Sequence, residues 1–258
     1  MSSPLKVFIT GASSGIGLAL ATEYVQRGAI LGLVARRGDA LAAFQQSHPH
    51  SSISIYSVDV RDAEALAEAA AQFIAQHGLP DVVIANAGIS RGAVTGESDL
   101  RTFREVMDIN YFGMVATFEP FAAAMVAARR GTLVGIASVA GVRGLPGSGA
   151  YSASKSAALK YLEALRVEMR PHDVGVVTIA PGYIRTPMTE HNPYTMPFLM
   201  DADRFAVKVA QAIERRTAFA VFPWQMGIVA KLLHVLPRWL YDRAFERAPR
   251  KPRGTVTE

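Results

Sequence analysis

LKVFITGASSGIG, residues 5–17, decides how the rest of the chain is read. Leu5 to Thr10 is a short apolar run of strand character, and LALATEYVQRG after the last glycine has helical spacing. A strand, a glycine turn and a helix aim backbone N–H groups and a helix N-terminus at a phosphate. The glycines permit the tight turn and the close approach of a pyrophosphate. Gly11, Ser13, Ser14, Gly15, Ile16 and Gly17 are therefore the candidate cradle. Gly11-x-Ser13-x-Gly15 also matches a hydrolase nucleophile elbow, but that turn normally follows several strands and here follows the first. A P-loop is excluded because no Lys follows the last glycine.

The same alternation continues outward from this unit. A second apolar run, Ile30 to Ala35, ends in Arg36-Arg37. In a dinucleotide fold that end faces the adenosine ribose, where a carboxylate binds a 2′-hydroxyl. Two guanidiniums suit a 2′-phosphate instead. Ile53 to Val58 leads into Asp59-Val60, Ala63 to His77 reads as helix, and Asp81 to Ala85 is a buried strand ending in Asn86-Ala87-Gly88. Residues 98–129 have helical spacing with Asn110 inside, where an Asn is expected on the surface. A strand at 132–137, a helix at 151–170, a strand at 174–180, a helix from Asp203 to Arg216 and a strand from Phe219 to Phe222 complete the series. This order predicts an α/β fold, a doubly wound parallel sheet of Rossmann-like type covered on both faces.

The segment Ser138 to Lys155, SVAGVRGLPGSGAYSASK, carries candidate chemistry. Tyr151 and Lys155 stand four residues apart, one turn apart on one helical face. A positive charge that stabilises phenolate lowers the Tyr pKa from about 10 and makes the phenol a usable acid near neutrality. Ser152-x-x-Lys155 matches an acyl-transfer motif whose S-D-N and K-T-G partners are absent from the sequence.

Composition narrows the classes further. The 258 residues, half of them apolar, allow one domain with a large core. With no cysteine there is no disulfide or thiolate metal site, and the histidines have no H-E-x-x-H spacing, so no metal site is expected. The N-terminus lacks signal-peptide features and no uninterrupted apolar run reaches about 18 residues, so a cytoplasmic protein is expected. The net charge of +5 is uneven: residues 204–258 hold 11 Lys/Arg against 4 Asp/Glu. No aromatic-interleaved basic groove accompanies it, and nucleic acid is not an expected partner.

Together, TGASSGIG (10–17), Asp59-Val60, NAG (86–88), Asn110, Ser138, YSASK (151–155) and Pro181-Gly182 followed by Thr186 resemble the short-chain dehydrogenase/reductase family over residues 5–222. The resemblance implies roles. Tyr151 is the general acid/base, and Lys155 lowers its pKa and holds the nicotinamide ribose. Ser138 binds the substrate oxygen, and Asn110 supports a water-linked relay to Lys155. Thr186 meets the nicotinamide carboxamide, Asp59 and Val60 line the adenine, and Asn86, Ala87 and Gly88 pass behind the cofactor. Pro181, Gly182 and Ile184 complete the expected cofactor contacts. The cofactor expected from Arg36 and Arg37 is NADP(H), and the reaction is hydride transfer with a ketone or secondary alcohol. A non-catalytic NADP(H)-sensing protein is the alternative. The family also implies a homodimer or homotetramer built on helices 101–129 and 151–170.

Residues 183–203 are expected to form a substrate lid covered by Tyr183, Tyr194, Met196, Phe198, Leu199 and Met200, which suits a lipid- or sterol-like substrate. Residues 224–258 form a C-terminal helical extension and a tail, APRKPRGTVTE, read as a frayed end. The favoured reading has helix 224–236 pack Ile228, Val229, Leu232, Leu233 and Leu236 over the pocket or a partner subunit. The alternative is peripheral membrane contact through residues 224–248.

Overall fold

The chain is described by a computed structural model that covers residues 3–97, 99–190, 192, 195–248 and 250. Seven strands form one parallel sheet in the order β3-β2-β1-β4-β5-β6-β9. They are β1 (Lys6–Thr10), β2 (Ile30–Ala35), β3 (Ile53–Ser57), β4 (Val82–Ala85), β5 (Thr132–Ile136), β6 (Gly175–Pro181) and β9 (Phe219–Phe222). The doubly wound fold expected from the alternating pattern is therefore present. Strands buried on both faces read as continuous apolar runs, which is why β1, β2, β4, β5 and β6 were visible in the sequence.

Pleating sends alternate residues to the two sheet faces. Val7 and Ile9 join Leu31, Leu33, Ile84 and Ile179 beneath α1 (Gly15–Gln26), α2 (Gly38–Ser47) and α8 (Ala202–Glu214). Phe8, between them, points the other way with Val34, Val83, Leu133 and Val176. That face is covered by α3 (Ala63–His77), α5 (Gly113–Ala128) and α6 (Gly149–Met169). The Phe8 ring lies 4.9 Å from Phe121 and 5.5 Å from Phe73. Gly32 leaves room for this cluster, since a Cβ there would come within 2.6 Å of both the Phe8 and Phe73 rings.

The helix expected over 98–129 is interrupted. It consists of α4 (Leu100–Met107), a π turn over Asp108–Phe112, and α5. Asn110, expected at the surface, is fully buried in this π turn. As a unit, Leu100–Ala128 is long and apolar enough to cross a membrane by length and composition. Its Phe118, Phe121 and Met125 are instead committed to the sheet core.

The expected lid contains local structure: two residues of β7 (Ile184–Arg185) pair with β8 (Met200–Asp201), and α7 (Pro187–Glu190) lies between them. Tyr194, and residues 249 and 251–258 of the tail, lie outside the described residues. The extension forms α9 (Trp224–Val235) and α10 (Arg238–Phe245). Its expected packing face is divided: Val229, Leu233 and Leu236 are half-buried, whereas Ile228 and Leu232 are exposed.

Phe8→Ala empties the middle of the aromatic cluster and should cost about 3–5 kcal/mol of unfolding free energy, read from urea denaturation. Phe8→Leu should lose less because more of that volume stays filled.

Candidate active site

The sheet order reverses direction at β1 and β4, and α/β folds bind ligands outside the carboxyl ends of strands at such a point. A cleft of about 280 Å³ opens there, lined by residues from the glycine turn, the ends of β2 and β4, Ser138, Tyr151, Lys155 and the segment after β6.

The glycine turn has its shape for steric reasons. Gly11 and Gly15 have φ of +69° and +55°, a region that side chains disfavour. At Gly17 a Cβ would lie 2.1 Å from the Gly11 carbonyl oxygen, so α1 can approach the turn only with glycine there. The G-x-x-x-G-x-G spacing thus places two left-handed residues and one close contact. Asn86 holds the turn from behind: its Nδ2 donates to the Thr10 carbonyl at 3.0 Å and the Gly11 carbonyl at 3.1 Å. Asn-Ala-Gly, a plain turn signal in the sequence, is a clamp between β1 and β4.

Arg36 and Arg37 line the cleft and are exposed, and Arg37 Nη2 donates to Ser13 Oγ at 3.2 Å. Asp59 and Val60 also line it. Hydrogen bonds from Arg61 hold the Asp59 carboxyl below its usual range, against the opposing effect of burial. Arg61 did not stand out in the sequence.

Asn110 reaches the site through three hydrogen bonds. Its Nδ2 donates to the Ile89 carbonyl and to Ser154 Oγ, both at 2.9 Å, and its Oδ1 accepts from the Ile89 N–H at 2.8 Å. Ser154 Oγ in turn donates to the Tyr151 carbonyl at 2.8 Å. Ser154 was missed by sequence reasoning, although its place inside YSASK puts it between the two candidate residues. At Gly88 a Cβ would lie 3.1 Å from Asn110 Oδ1 and 3.5 Å from Lys155 Nζ, so the β4 end passes close to both.

Lys155 is buried, and its Nζ donates to the Ile136 carbonyl at 2.8 Å. Burial lowers its pKa to about 8. Burial also pushes the Tyr151 phenol above its usual value, and a hydrogen bond with Ser138 opposes that rise. The Lys155 ammonium lies 6.0 Å from the Tyr151 ring centroid, one helical turn away. The Ser138 Oγ also accepts from the Ala140 N–H at 3.1 Å, which fixes its direction.

Beyond β6, Pro181, Gly182, Ile184 and Thr186 line the cleft as expected, joined by Pro187, Met188 and Thr189. Thr189 Oγ1 donates to the Ile184 carbonyl at 2.6 Å and accepts from the Thr186 N–H at 3.1 Å, bracing the turn that holds Thr186. The cleft therefore meets the first part of the expected lid, and among the described residues Tyr183, Met196, Phe198, Leu199 and Met200 do not line it. Arg91, also unforeseen, lines the cleft and is ion-paired with Glu105 of α4.

Residues 6–196 match the family model described as short chain dehydrogenase, and the chain belongs to the short-chain dehydrogenase/reductase family of oxidoreductases. An uncharacterized oxidoreductase of Myxococcus xanthus is 37% identical over 243 residues, covering 93% of this chain and 95% of the relative. The crystal structure of a Burkholderia cenocepacia short chain dehydrogenase in complex with NADP superposes with a TM-score of 0.81. It is 25% identical and covers 96% of this chain and 99% of that one. A Mycobacterium paratuberculosis short chain dehydrogenase bound to NAD gives a TM-score of 0.76 at 26% identity, covering 84% and 95%. The cofactor class is thus a nicotinamide dinucleotide.

Ser138→Ala removes the group that opposes desolvation at Tyr151, so the phenol pKa should move further upward. Ring-labelled tyrosine NMR, with Tyr151→Phe assigning the resonance, reads the change. A transition that stays in place or moves down would remove Ser138 from this role.

Proposed function

We propose that this protein is an NADP(H)-dependent oxidoreductase that interconverts a ketone and a secondary alcohol, with Tyr151 as its general acid/base. The observation that carries the reading is the convergence of Ser138, Tyr151 and buried Lys155 on one cleft outside β4 and β5. The residues fit a dinucleotide. Gly11 and Gly15 are in left-handed conformations, the N-terminus of α1 faces the same cleft, and two guanidiniums stand at the end of β2.

The cofactor supplies or accepts hydride when bound. The glycine turn and α1 N-terminus would hold its pyrophosphate, and Arg36 and Arg37 the 2′-phosphate. Asp59 and Val60 would line its adenine, Lys155 its nicotinamide ribose, and Thr186 its carboxamide. Asn86, Ala87 and Gly88 would form the wall behind it, with Pro181, Gly182 and Ile184 beside Thr186.

During reduction the substrate oxygen accepts a hydrogen bond from Ser138 and a proton from the Tyr151 phenol. In the reverse direction the Tyr151 phenolate takes that proton back. Asn110 anchors the Ile89 backbone and, through Ser154, the helix turn carrying Tyr151, and so acts as a positioning residue.

Ile89, Ile136, Ile184 and Met188 give the cleft an apolar lining and support a hydrophobic substrate. Membership of the short-chain dehydrogenase/reductase family supports a homodimer or homotetramer through the helices of residues 101–129 and 151–170. A monomeric mass by sedimentation equilibrium at micromolar concentration would overturn that assembly.

Tyr151→Phe should abolish turnover of ketones with NADPH while leaving NADP(H) affinity within a few fold, because the ring stays and the acidic proton goes. Activity near wild type would remove Tyr151 from the chemistry. Replacing Arg36 and Arg37 with Ala should weaken NADPH binding by roughly 1.5–3 kcal/mol, about ten- to a hundred-fold, and leave NADH binding nearly unchanged. Equal affinity of the unmodified protein for both cofactors, measured by calorimetry, would overturn the NADP(H) assignment.

A further inference from the structure

We infer that the outer face of the C-terminal helix pair, α9 and α10, is a docking surface for an anionic lipid bilayer. α9 is apolar on two opposite sides. Met226 and Ala230 are buried against the protein, while Trp224, Ile228, Leu232 and Val235 are 66, 51, 62 and 73% exposed. Spacings of four, four and three residues place those four side chains in one stripe along the helix. Trp239, 69% exposed, adds to the apolar surface from α10. Isolated apolar residues on a surface need no explanation, but a continuous stripe of large ones does.

Charge selects the occupant. Lys231 of α9, Arg238 and Arg243 of α10 and Arg247 just beyond it are exposed, against Asp242 of α10 and Glu246, which pairs with Arg247. Four cations against two carboxylates leave this face net positive, so two copies brought together repel on balance, which disfavours self-association through it. An anionic headgroup layer is complementary, and apolar stripes flanked by Lys and Arg bind at such interfaces. Tryptophans near the two ends of α9 have the amphipathic rings that settle at headgroup level. The 12 residues of α9 span about 18 Å, short of the roughly 30 Å hydrocarbon core, so the helix lies in the interface and does not cross it.

The inner face holds this platform in place. Arg143 Nη1 donates to the carbonyls of Leu233 and His234 at 3.1 and 3.2 Å, and its guanidinium lies 4.3 Å from the Tyr241 ring centroid. The Tyr241 hydroxyl donates to the Gly144 carbonyl at 2.5 Å. Met226 presses on Gly182, where a Cβ would lie 2.5 Å from its Cγ. The bilayer-facing helices are thereby tied to the loop between Ser138 and Tyr151 and to a residue lining the cleft. Docking does not depend on the redox reading, so each can fail without the other.

Sedimentation of the full-length protein with vesicles tests the inference. Phosphatidylcholine vesicles containing phosphatidylglycerol should bind at least about tenfold more tightly than phosphatidylcholine alone, and 1 M salt should remove the difference (Debye length about 3 Å). Leu232→Asp with Val235→Asp should weaken binding to anionic vesicles at least about tenfold, with the thermal unfolding midpoint checking that the fold is kept. Arg238→Gln with Arg243→Gln should reduce the preference for anionic vesicles while retaining the apolar stripe. Failure of the wild-type protein to sediment with anionic vesicles at low salt would overturn the inference. So would a change in oligomeric mass, with unchanged vesicle binding, in the Leu232→Asp, Val235→Asp variant, which would make the face a protein interface.

Discussion

Two hydrogen bonds from one side-chain amide hold the cleft together. Asn86 stands at the end of β4, yet its Nδ2 is spent on carbonyls at the end of β1. The Gly11 carbonyl that receives one of these bonds is also the atom against which Gly17, and with it α1, must seat. The β1 turn, the start of α1 and the exit of β4 are therefore fixed relative to one another at a single point. Parallel strands alone would leave this junction open, because their ladders end where the loops begin. Two residues beyond Asn86, Gly88 passes close to Asn110 and Lys155, which ties the junction to the far side of the cleft.

Burial has opposite consequences for two titratable groups that line the cleft, Tyr151 and Lys155. Desolvation disfavours a charge of either sign, so it raises the Tyr151 phenol and lowers the Lys155 ammonium. Left to itself it would favour two neutral groups. The Ser138 hydroxyl opposes it at the phenol, and the Ile136 carbonyl accepts a hydrogen bond from the amine. Both neighbours come from β5 and the loop after it.

Much of this was legible in the chain. Strands sandwiched between helix layers must be apolar on both sides, so Ile30–Ala35 could be bounded from the sequence alone, whereas the half-exposed edge strand Phe219–Phe222 was bounded by its short apolar run and the proline after it. Tyr151 and Lys155 were legible because a four-residue spacing has one geometric meaning on a helix. Other features were not, for physical reasons. Whether Asn110 is buried depends on Ile89 and Ser154, each remote in sequence, and no local pattern encodes that partnership. The Arg61–Asp59 pairing and the Thr189 brace depend on side-chain geometry after folding. The expected face of α9 is divided between half-buried Val229 and Leu233 and exposed Ile228 and Leu232, because the helix is apolar on both sides and periodicity does not say which side meets the chain's own core.

The π turn at Asp108–Phe112 changes the phase of a long helix. Each residue of an α-helix advances about 100° around the axis, so widening one turn rotates everything downstream relative to everything upstream. α4, which carries Glu105 toward Arg91, and α5, which carries Phe118 and Phe121 into the sheet core, can then answer to two different neighbours while remaining one continuous rod. Were the rod uniform, satisfying one neighbour would turn the other contact out of place, and Asn110 would lose its aim at Ile89. The wide turn decouples them, so the cleft side and the core side of this helix can accept sequence change independently.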